Sequence, residues 1–221
     1  MNNNTTKHHF GFTRNEYSIL SKLNTLARIQ DYIDHLDYNL EKLGETCYSP
    51  RTVLAKQQAN CIEGAIFAAA VLRVQGHPPL ILDLTSVRDD DHVLAVVKQD
   101  GYWGALSKSK YSGLSFREPI YRTIRELALS YFECYFNFDG EKTLRGYSRP
   151  VNLARFDKFG WMTSAENLFY IPEYLGLQVA HTEFLTKKMI HNLRPVTPLM
   201  KDAGELWMKR KGVLEKLRGV S

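Results

Sequence analysis

Residues 57–65 read Gln-Gln-Ala-Asn-Cys-Ile-Glu-Gly-Ala and open an alanine-rich stretch. Asn60 can cap a helix here, and Glu63, three residues later, completes a pattern of the capping-box type. This register places Cys61 at the first helical residue, and Gly76, shortly before two prolines, ends the helix. The free N–H groups and the dipole of a helix start favour a thiolate. The sequence therefore places Cys61 where a helix end favours its thiolate.

A two-stranded hairpin is predicted after this helix. Residues 80–84 are typical of a short strand, and an acidic loop then leads to a second strand at residues 92–98, which begins with His92. The Asp-Gly pair that follows is a strong signal for a two-residue turn, so residues 102–107 return as the partner strand. Histidine takes and returns a proton near neutral pH. Cys61 and His92 thus form the skeleton of a cysteine nucleophile and its base.

The register of this hairpin follows from counting back from its turn. The count places Ser107 opposite Leu94 and Ser109 opposite His92. Alternate residues of a strand share one face, so both serines point to the same side as His92. The sequence therefore predicts that Ser107 and Ser109 are the residues placed to orient the histidine ring.

The order of these elements resembles the transglutaminase-like superfamily, which is related to papain-type cysteine proteases. That group includes transglutaminases, peptidases, amidases and the similar arylamine N-acetyltransferases. Over residues 57–109, Cys61 matches the nucleophile, His92 the base and Trp103 the aromatic residue that often precedes the acid. The aspartate of the family falls at or near Ser107, where this chain has none. The resemblance implies an α+β fold whose transglutaminase-like, cysteine-protease-like core packs the cysteine-bearing helix on a small antiparallel sheet, with additional N- and C-terminal helices.

Several residues are candidates for the missing third position of the triad. That residue holds the imidazole in the useful tautomer and stabilises its cation. Ser107 can do the first by hydrogen bonding, and Ser109 is an alternative. Asp83, Asp91 and Glu118 are acidic alternatives. Asp91, as the strand neighbour of His92, faces the opposite side, and Glu118 lies just past the hairpin and would have to fold back. A dyad without a third residue is also open, because a thiol needs less activation than a hydroxyl.

Donors for an oxyanion are expected at the start of the helix. Backbone N–H groups there, including that of Cys61, point toward the site. Gln57 or Gln58 adds a side-chain donor, as a glutamine upstream of the cysteine does in papain-like enzymes. Asn60 and Trp103 complete the set of candidates for contacts with the substrate or the oxyanion.

Length and composition predict a single domain over residues 1–221. Of the 221 residues, 44% are hydrophobic and 24% are charged, which provides enough apolar material for a core. We place the core at about residues 45–149 and a mostly helical C-terminal extension at about residues 150–221. Hydrophobic spacing predicts further helices at residues 15–43, 119–136, 165–175 and 204–217.

Charge and cysteine usage limit the compartment and the partners that we expect. Three sparse cysteines do not form a disulfide framework, the polar N-terminus does not resemble a signal peptide, and no apolar run is long enough to cross a bilayer. A cytoplasmic protein is therefore expected.

The net charge of +5 is mild, and the basic C-terminal part lacks the interleaved aromatic residues of a nucleic-acid module. The histidines show no metal-binding spacing. We expect a peptide or small amide or acyl substrate, no cofactor, no metal and no membrane or nucleic-acid partner; oligomeric state stays open.

Two functions from different classes fit these residues. In the first, Cys61 attacks an amide or peptide carbonyl to form a thioester, His92 acts as general base, and water or an amine resolves the acyl-enzyme. The enzyme is then a cysteine hydrolase, such as a peptidase or amidase, or an acyltransferase. In the second, the protein is a catalytically degenerate transglutaminase-like binding or scaffold module that keeps Cys61 and His92 as remnants.

Overall fold

The computed structural model describes residues 9–210 as a mixture of helices and antiparallel sheet. Its α-helices span Arg14–Lys22 (α1), Leu26–His35 (α2), Pro50–Lys56 (α3), Cys61–Val74 (α4), Ile124–Leu129 (α5), Tyr170–Gln178 (α6), Lys187–His191 (α7), Pro198–Gly204 (α8) and Leu206–Arg210 (α9). Its strands span Asp37–Tyr38 (β1), Gln58–Ala59 (β2), Leu80–Ser86 (β3), His92–Gln99 (β4), Tyr102–Leu106 (β5), Arg117–Tyr121 (β6), Leu144–Ser148 (β7), Val151–Asn152 (β8) and His181–Glu183 (β9). Short 3-10 helices cover Phe132–Cys134 and Leu153–Phe159.

The main sheet has the strand order β6-β5-β4-β3-β7-β9, with β8 also paired to β3, and each of these pairs is antiparallel. The predicted α+β class is confirmed, although seven described strands make the sheet larger than the small sheet expected. The hairpin register is also confirmed, since Gln99 pairs with Tyr102 and Ala95 with Leu106. Residues 150–210 are not only helical, because they add β8 and β9 to this sheet.

Each face of the sheet carries its own hydrophobic core. Helix α4 lies on one face, where its buried residues 65–72 pack with Val93, Ala95 and Val97 of β4. The alternate residues Leu94 and Val96 belong to a second cluster on the other face. This alternation is what a strand buried on both sides requires. Because α4 packs on this strand, the end of α4 that carries Cys61 lies against the start of β4.

The start of α4 packs directly on the chain that leaves β5. A Cβ atom added at Gly64 would lie 2.6 Å from the Cβ of Lys108, closer than real Cβ atoms approach. Glycine is therefore required here for the helix to come so near. The close approach brings the helix start and the segment after Leu106 into one site.

The prediction of one helix over residues 15–43 is wrong. The chain forms α1, then α2, and then the short strand β1. Thr25 starts the second helix by accepting a hydrogen bond from the N–H of Arg28 at 3.2 Å. Hydrophobic spacing continues across the break because both helices bury one apolar face, so periodicity alone did not show it.

The prediction of a helix over residues 119–136 is also wrong. Pro119 lies inside β6, an edge strand of the sheet, where a residue without an N–H is tolerated. Helix α5 begins only after its cap Thr123, whose side chain accepts from the N–H of Glu126. The helix predicted at residues 165–175 begins later, at Tyr170. The predicted helix at residues 204–217 lies partly outside the described residues, which end with α9.

Among the described residues, no helix is both long enough and apolar enough to span a bilayer.

Candidate active site

The start of α4 is built as its sequence predicts. The side-chain oxygen of Asn60 accepts the N–H of Glu63 at 3.0 Å, and Glu63 in turn accepts the N–H of Asn60 at 2.9 Å. This capping box makes Cys61 the first helical residue, as predicted. The N–H groups of Cys61 and Ile62 belong to the first helical turn and therefore have no intrahelical acceptor.

The carboxylate of Glu63 has a second task that sequence reasoning missed. It is fully buried and also accepts hydrogen bonds from the side chains of Asn39 (3.0 Å) and Thr46 (2.7 Å) and from the N–H of Tyr48 (3.0 Å). These three donors belong to the loop at residues 39–48, which lies beside the helix start. Glu63 therefore ties that loop to the element that carries Cys61.

The thiol of Cys61 lies against the edge of β4. It donates to the carbonyl of Asp91 at 3.9 Å, and the N–H of Val93 hydrogen-bonds to the sulfur. Strand β5 pairs with β4 only as far as Ala95, so β5 does not cover the beginning of β4. The sulfur thus contacts the residues immediately before and after His92 in a gap left by the partner strand.

The ring of His92 is held by a backbone carbonyl. Its Nε2 lies 2.9 Å from the carbonyl oxygen of Leu114 and 3.3 Å from the hydroxyl of Ser107, which itself donates to the Leu114 carbonyl at 2.7 Å. A carbonyl oxygen only accepts, so we assign the ring proton to Nε2. Nδ1 makes no hydrogen bond with the described residues and keeps its lone pair. The Leu114 carbonyl and Ser107 thereby do the orienting work that an acid does elsewhere, without its charge.

Ser109 does not orient His92, although the register of the hairpin placed it opposite. Its hydroxyl accepts the N–H of Tyr111 at 3.0 Å. The reason is that strand pairing stops at Leu106, so the residues after it leave the line of β5. Of the two predicted serines, the structure brings only Ser107 to the histidine ring.

The acidic alternatives are also placed elsewhere, and Glu118 lies exposed in β6. Asp83 pairs with Val93, which faces the side of the sheet opposite to that of His92, and its carboxylate lies 3.4 Å from Nε2 of His181. Burial raises the pKa of Asp83, and the neighbouring Asp91 raises that pKa further. Asp91 accepts the N–H of Ser86 at 2.7 Å through its own carboxylate. Neither aspartate reaches the ring nitrogens of His92.

Three of the side chains predicted to contact the substrate or the oxyanion lie away from Cys61. Gln57 ends α3 in a left-handed conformation and donates to the hydroxyl of Tyr32 at 2.7 Å. Gln58 lies in β2, beside a second cavity, and Trp103 lies in β5 with the ammonium of Lys98 above its ring. Gln57 and Gln58 are close to Cys61 in the sequence, and Trp103 lies on the hairpin, but none of the three side chains reaches the thiol. Asn60 does border the site, but its side-chain oxygen is used as the helix cap.

A cavity of about 420 Å³ opens beside Cys61 and His92. Cys61 and His92 line it together with aromatic and acidic side chains. The aromatic residues are Tyr38, Tyr111, Tyr135, Phe136 and Phe169, and the acidic residues are Glu41, Glu45, Asp89, Asp90 and Asp91. A second cavity, of about 440 Å³, shares Tyr38 and the following loop residues with the first. The described residues contain no group of three or more His, Cys, Asp or Glu side chains that could hold a metal ion.

Burial keeps both reactive groups neutral at rest. It raises the pKa of Cys61 to about 11, against the lowering effect of the Val93 N–H, and nearby Asp90 raises the pKa further. It lowers the pKa of His92 to about 4, against the effect of the hydrogen bond to Leu114. Cys61 is only half-buried and faces the cavity, so solvent moderates the shift. Burial of Cys61 therefore opposes the thiolate that the helix end favours.

Alkylation of Cys61 by iodoacetamide is expected to be slow at neutral pH. A thiol pKa raised above the free value of about 8.5 leaves less thiolate, so at about pH 7.5 the rate falls at least about tenfold below that of free cysteine. The rate keeps rising above pH 9 as the thiol ionises. Mass spectrometry of the peptide that contains Cys61, across a pH series, measures this profile.

The expectation would be contradicted if the alkylation rate reached a plateau at a pH below the free-thiol pKa and this plateau disappeared in His92→Ala. Such a profile would reveal a thiolate–imidazolium pair. Cys134, which is half-buried and does not line the cavity, serves as the internal reference in the same digest.

No family model matches this chain, and a comparison with curated proteins also finds no match.

Proposed function

We propose that the protein is a transglutaminase-like cysteine hydrolase or acyltransferase that acts on an amide or peptide carbonyl through a thioester on Cys61. One observation carries the proposal. A thiol at a helix start contacts the strand neighbours of His92, whose Nε2 is committed to the Leu114 carbonyl, so that Nδ1 remains as the base. The order of cysteine helix, histidine strand and antiparallel hairpin supports a transglutaminase-like core.

The first half of the reaction transfers one proton and forms one bond. As the sulfur attacks the carbonyl carbon, Nδ1 of His92 accepts the thiol proton and the carbonyl electrons move to oxygen. Because both groups are neutral at rest, this proton moves together with the attack. The N–H groups of Cys61 and Ile62 stand at the helix start, where they stabilise the developing oxyanion.

The second half returns the enzyme to its starting state. The C–N bond breaks, the amine leaves with the proton from His92, and the acyl group stays on sulfur as a thioester. His92 then takes a proton from water or from an amine, which attacks the thioester. The S–C bond breaks, the thiol is re-formed, and a carboxylic acid or a new amide leaves.

The absence of an acid beside His92 favours a second candidate function. No described carboxylate reaches the ring, and the low pKa of His92 shows how little the site favours the imidazolium. In this alternative the protein is a degenerate transglutaminase-like binding or scaffold module. It has the same fold but forms no acyl-enzyme.

Acyl transfer to Cys61 separates the two functions. With a panel of p-nitrophenyl esters and peptide anilides, we expect turnover and, on rapid acid quenching, an acyl adduct on Cys61 seen by mass spectrometry. Cys61→Ala loses both completely, and His92→Ala lowers kcat by about 100-fold or more, because the general base is gone. Cys134→Ala is the matched control and keeps full activity. Turnover retained in Cys61→Ala, or no adduct with any donor, would refute the proposed enzyme.

A further inference from the structure

The cavity beside Cys61 has a charge opposite to that of the whole protein. The chain carries a net charge of +5. Among the described residues that line the cavity, there are five carboxylates and a single ammonium group, that of Lys110. A cleft lined by one sign of charge concentrates ligands of the opposite sign. The cavity therefore carries a local excess of negative charge.

Most of these carboxylates are held by neutral donors, which fix their positions but leave their charge uncompensated. Glu41 accepts the N–H of Thr46 at 2.7 Å, and Asp89 accepts the hydroxyl of Thr143 at 2.6 Å. Of the five, only Asp90 forms an ion pair with a described residue, and its side chain is 83% exposed. The acidic wall is thus arranged by the fold and remains open to a cation.

One ammonium group already shows how a cation fits this wall. The Nζ atom of Lys110 lies 3.1 Å from the carboxylate of Asp90 and 6.0 Å from the centre of the Tyr38 ring. Carboxylates and aromatic faces together are the usual surroundings of a bound ammonium or guanidinium group. Further aromatic rings, among them Tyr111 and Phe169, line the same cavity.

Cys61 and His92 line the same cavity. His92 is only 5% exposed, and its Nδ1 atom has no hydrogen-bond partner among the described residues. A ligand that binds the acidic wall can therefore bring its other end to Nδ1 of His92 and to the thiol. A cavity of about 420 Å³ is in the size range of small-molecule and short-peptide sites.

We propose that the substrate is a cationic amide, such as a basic peptide segment, whose ammonium or guanidinium group binds the wall that contains Glu45 and Asp90 while its carbonyl faces Cys61. The identification of this ligand as a substrate rests on the proposed function. The charge selectivity of the cavity itself does not depend on catalysis.

Charged thiol reagents test this selectivity directly. Two methanethiosulfonates of similar size, one with a trimethylammonium group and one with a sulfonate, react with Cys61 at rates measured by mass spectrometry of its peptide. In each reaction the thiol loses its proton to solvent, an S–S bond forms and methanesulfinate leaves. The raised pKa of Cys61 slows both reagents equally, so it cancels in the ratio of the cationic to the anionic rate.

We expect the ratio of the cationic to the anionic rate at Cys61 to exceed the same ratio for 2-mercaptoethanol by about tenfold or more in low salt. In about 1 M NaCl the ratio at Cys61 falls toward the value for 2-mercaptoethanol. The double variant Glu45→Gln/Asp90→Asn lowers the ratio at least about threefold, because two of the charges are lost. Asp100→Asn is the matched control, since Asp100 lies in the exposed hairpin turn outside the cavity. It leaves the ratio unchanged.

A ratio equal to that of 2-mercaptoethanol, or one that neither salt nor the double variant changes, would overturn the charge selectivity. If the ratio is as expected but no acyl donor of any charge is turned over, the proposed enzyme fails and the cation-selective cavity stands. If both hold, lysine-containing peptide anilides exceed matched glutamate-containing ones in kcat/KM by about tenfold or more. Equal kcat/KM values in an active enzyme would overturn the assignment of the substrate.

Discussion

Glu63→Ala is expected to lower the free energy of unfolding by about 3–5 kcal/mol, a large effect for one side chain. The substitution removes the acceptor of the Asn60 N–H and of three donors from the loop at residues 39–48. These groups are buried or partly buried, and each unpaired donor costs about 1–3 kcal/mol, with incomplete additivity because they share one partner. Urea denaturation followed by circular dichroism measures the loss.

Two controls make this result specific. Glu63→Gln keeps the length of the side chain and one acceptor oxygen, so it is expected to lose less than half as much stability. Glu166→Ala removes an exposed carboxylate and should change stability by no more than about 0.5 kcal/mol. If Glu63→Ala were as stable as Glu166→Ala, the loop would not depend on this carboxylate, and our account of how the cavity wall is held would be wrong.

Ser107→Asp is expected to destabilise the fold by about 3 kcal/mol or more, and not to restore a triad. The site of Ser107 is fully buried, and its hydroxyl donates to the Leu114 carbonyl at 2.7 Å. A carboxylate at this position cannot donate, and it faces the lone pairs of that carbonyl. The nearest partner, His92, is neutral because burial lowers its pKa to about 4. Thermal and urea unfolding measure the cost.

Ser107→Ala is the matched variant and should cost no more than about 1.5 kcal/mol. Nε2 of His92 keeps its hydrogen bond to the Leu114 carbonyl at 2.9 Å in this variant, so the ring stays oriented. A Ser107→Asp protein that is as stable as the wild type, and whose thiol is alkylated faster at neutral pH, would show that the site accepts and uses an acid. In that case Leu114 would not be the principal orienting group.

The sequence predicts those features that depend on neighbours in the chain. The capping pair Asn60 and Glu63 fixes where α4 starts, and an Asp-Gly turn fixes the register of β4 with β5. Both signals act within a few residues, so tertiary packing does not alter them. The positions of Cys61 and His92 could therefore be predicted from sequence alone.

The orienting group of the histidine could not be predicted in this way. Leu114 acts through its backbone carbonyl, which every residue possesses and which therefore leaves no trace in the choice of side chain. The charge state of Cys61 was also beyond the sequence, because it depends on how much burial opposes the helix end. Pro119 misled the prediction for a related reason, since only the position of β6 at the edge of the sheet makes a proline acceptable there.

The contact of the thiol with β4 separates the rigid from the adaptable parts of the site. Strand β4 lies in the interior of the sheet and pairs on both sides at Ala95 and Val96, and His92 at its start pairs with Leu84 of β3. The amides of the residues paired on both sides are expected to exchange with solvent hydrogen only on large-scale opening. The acidic wall lies on loops, which tolerate changes of sequence far better. Substitutions at residues such as Glu45 and Asp90 can therefore change the charge of the cavity while the position of the sulfur stays fixed.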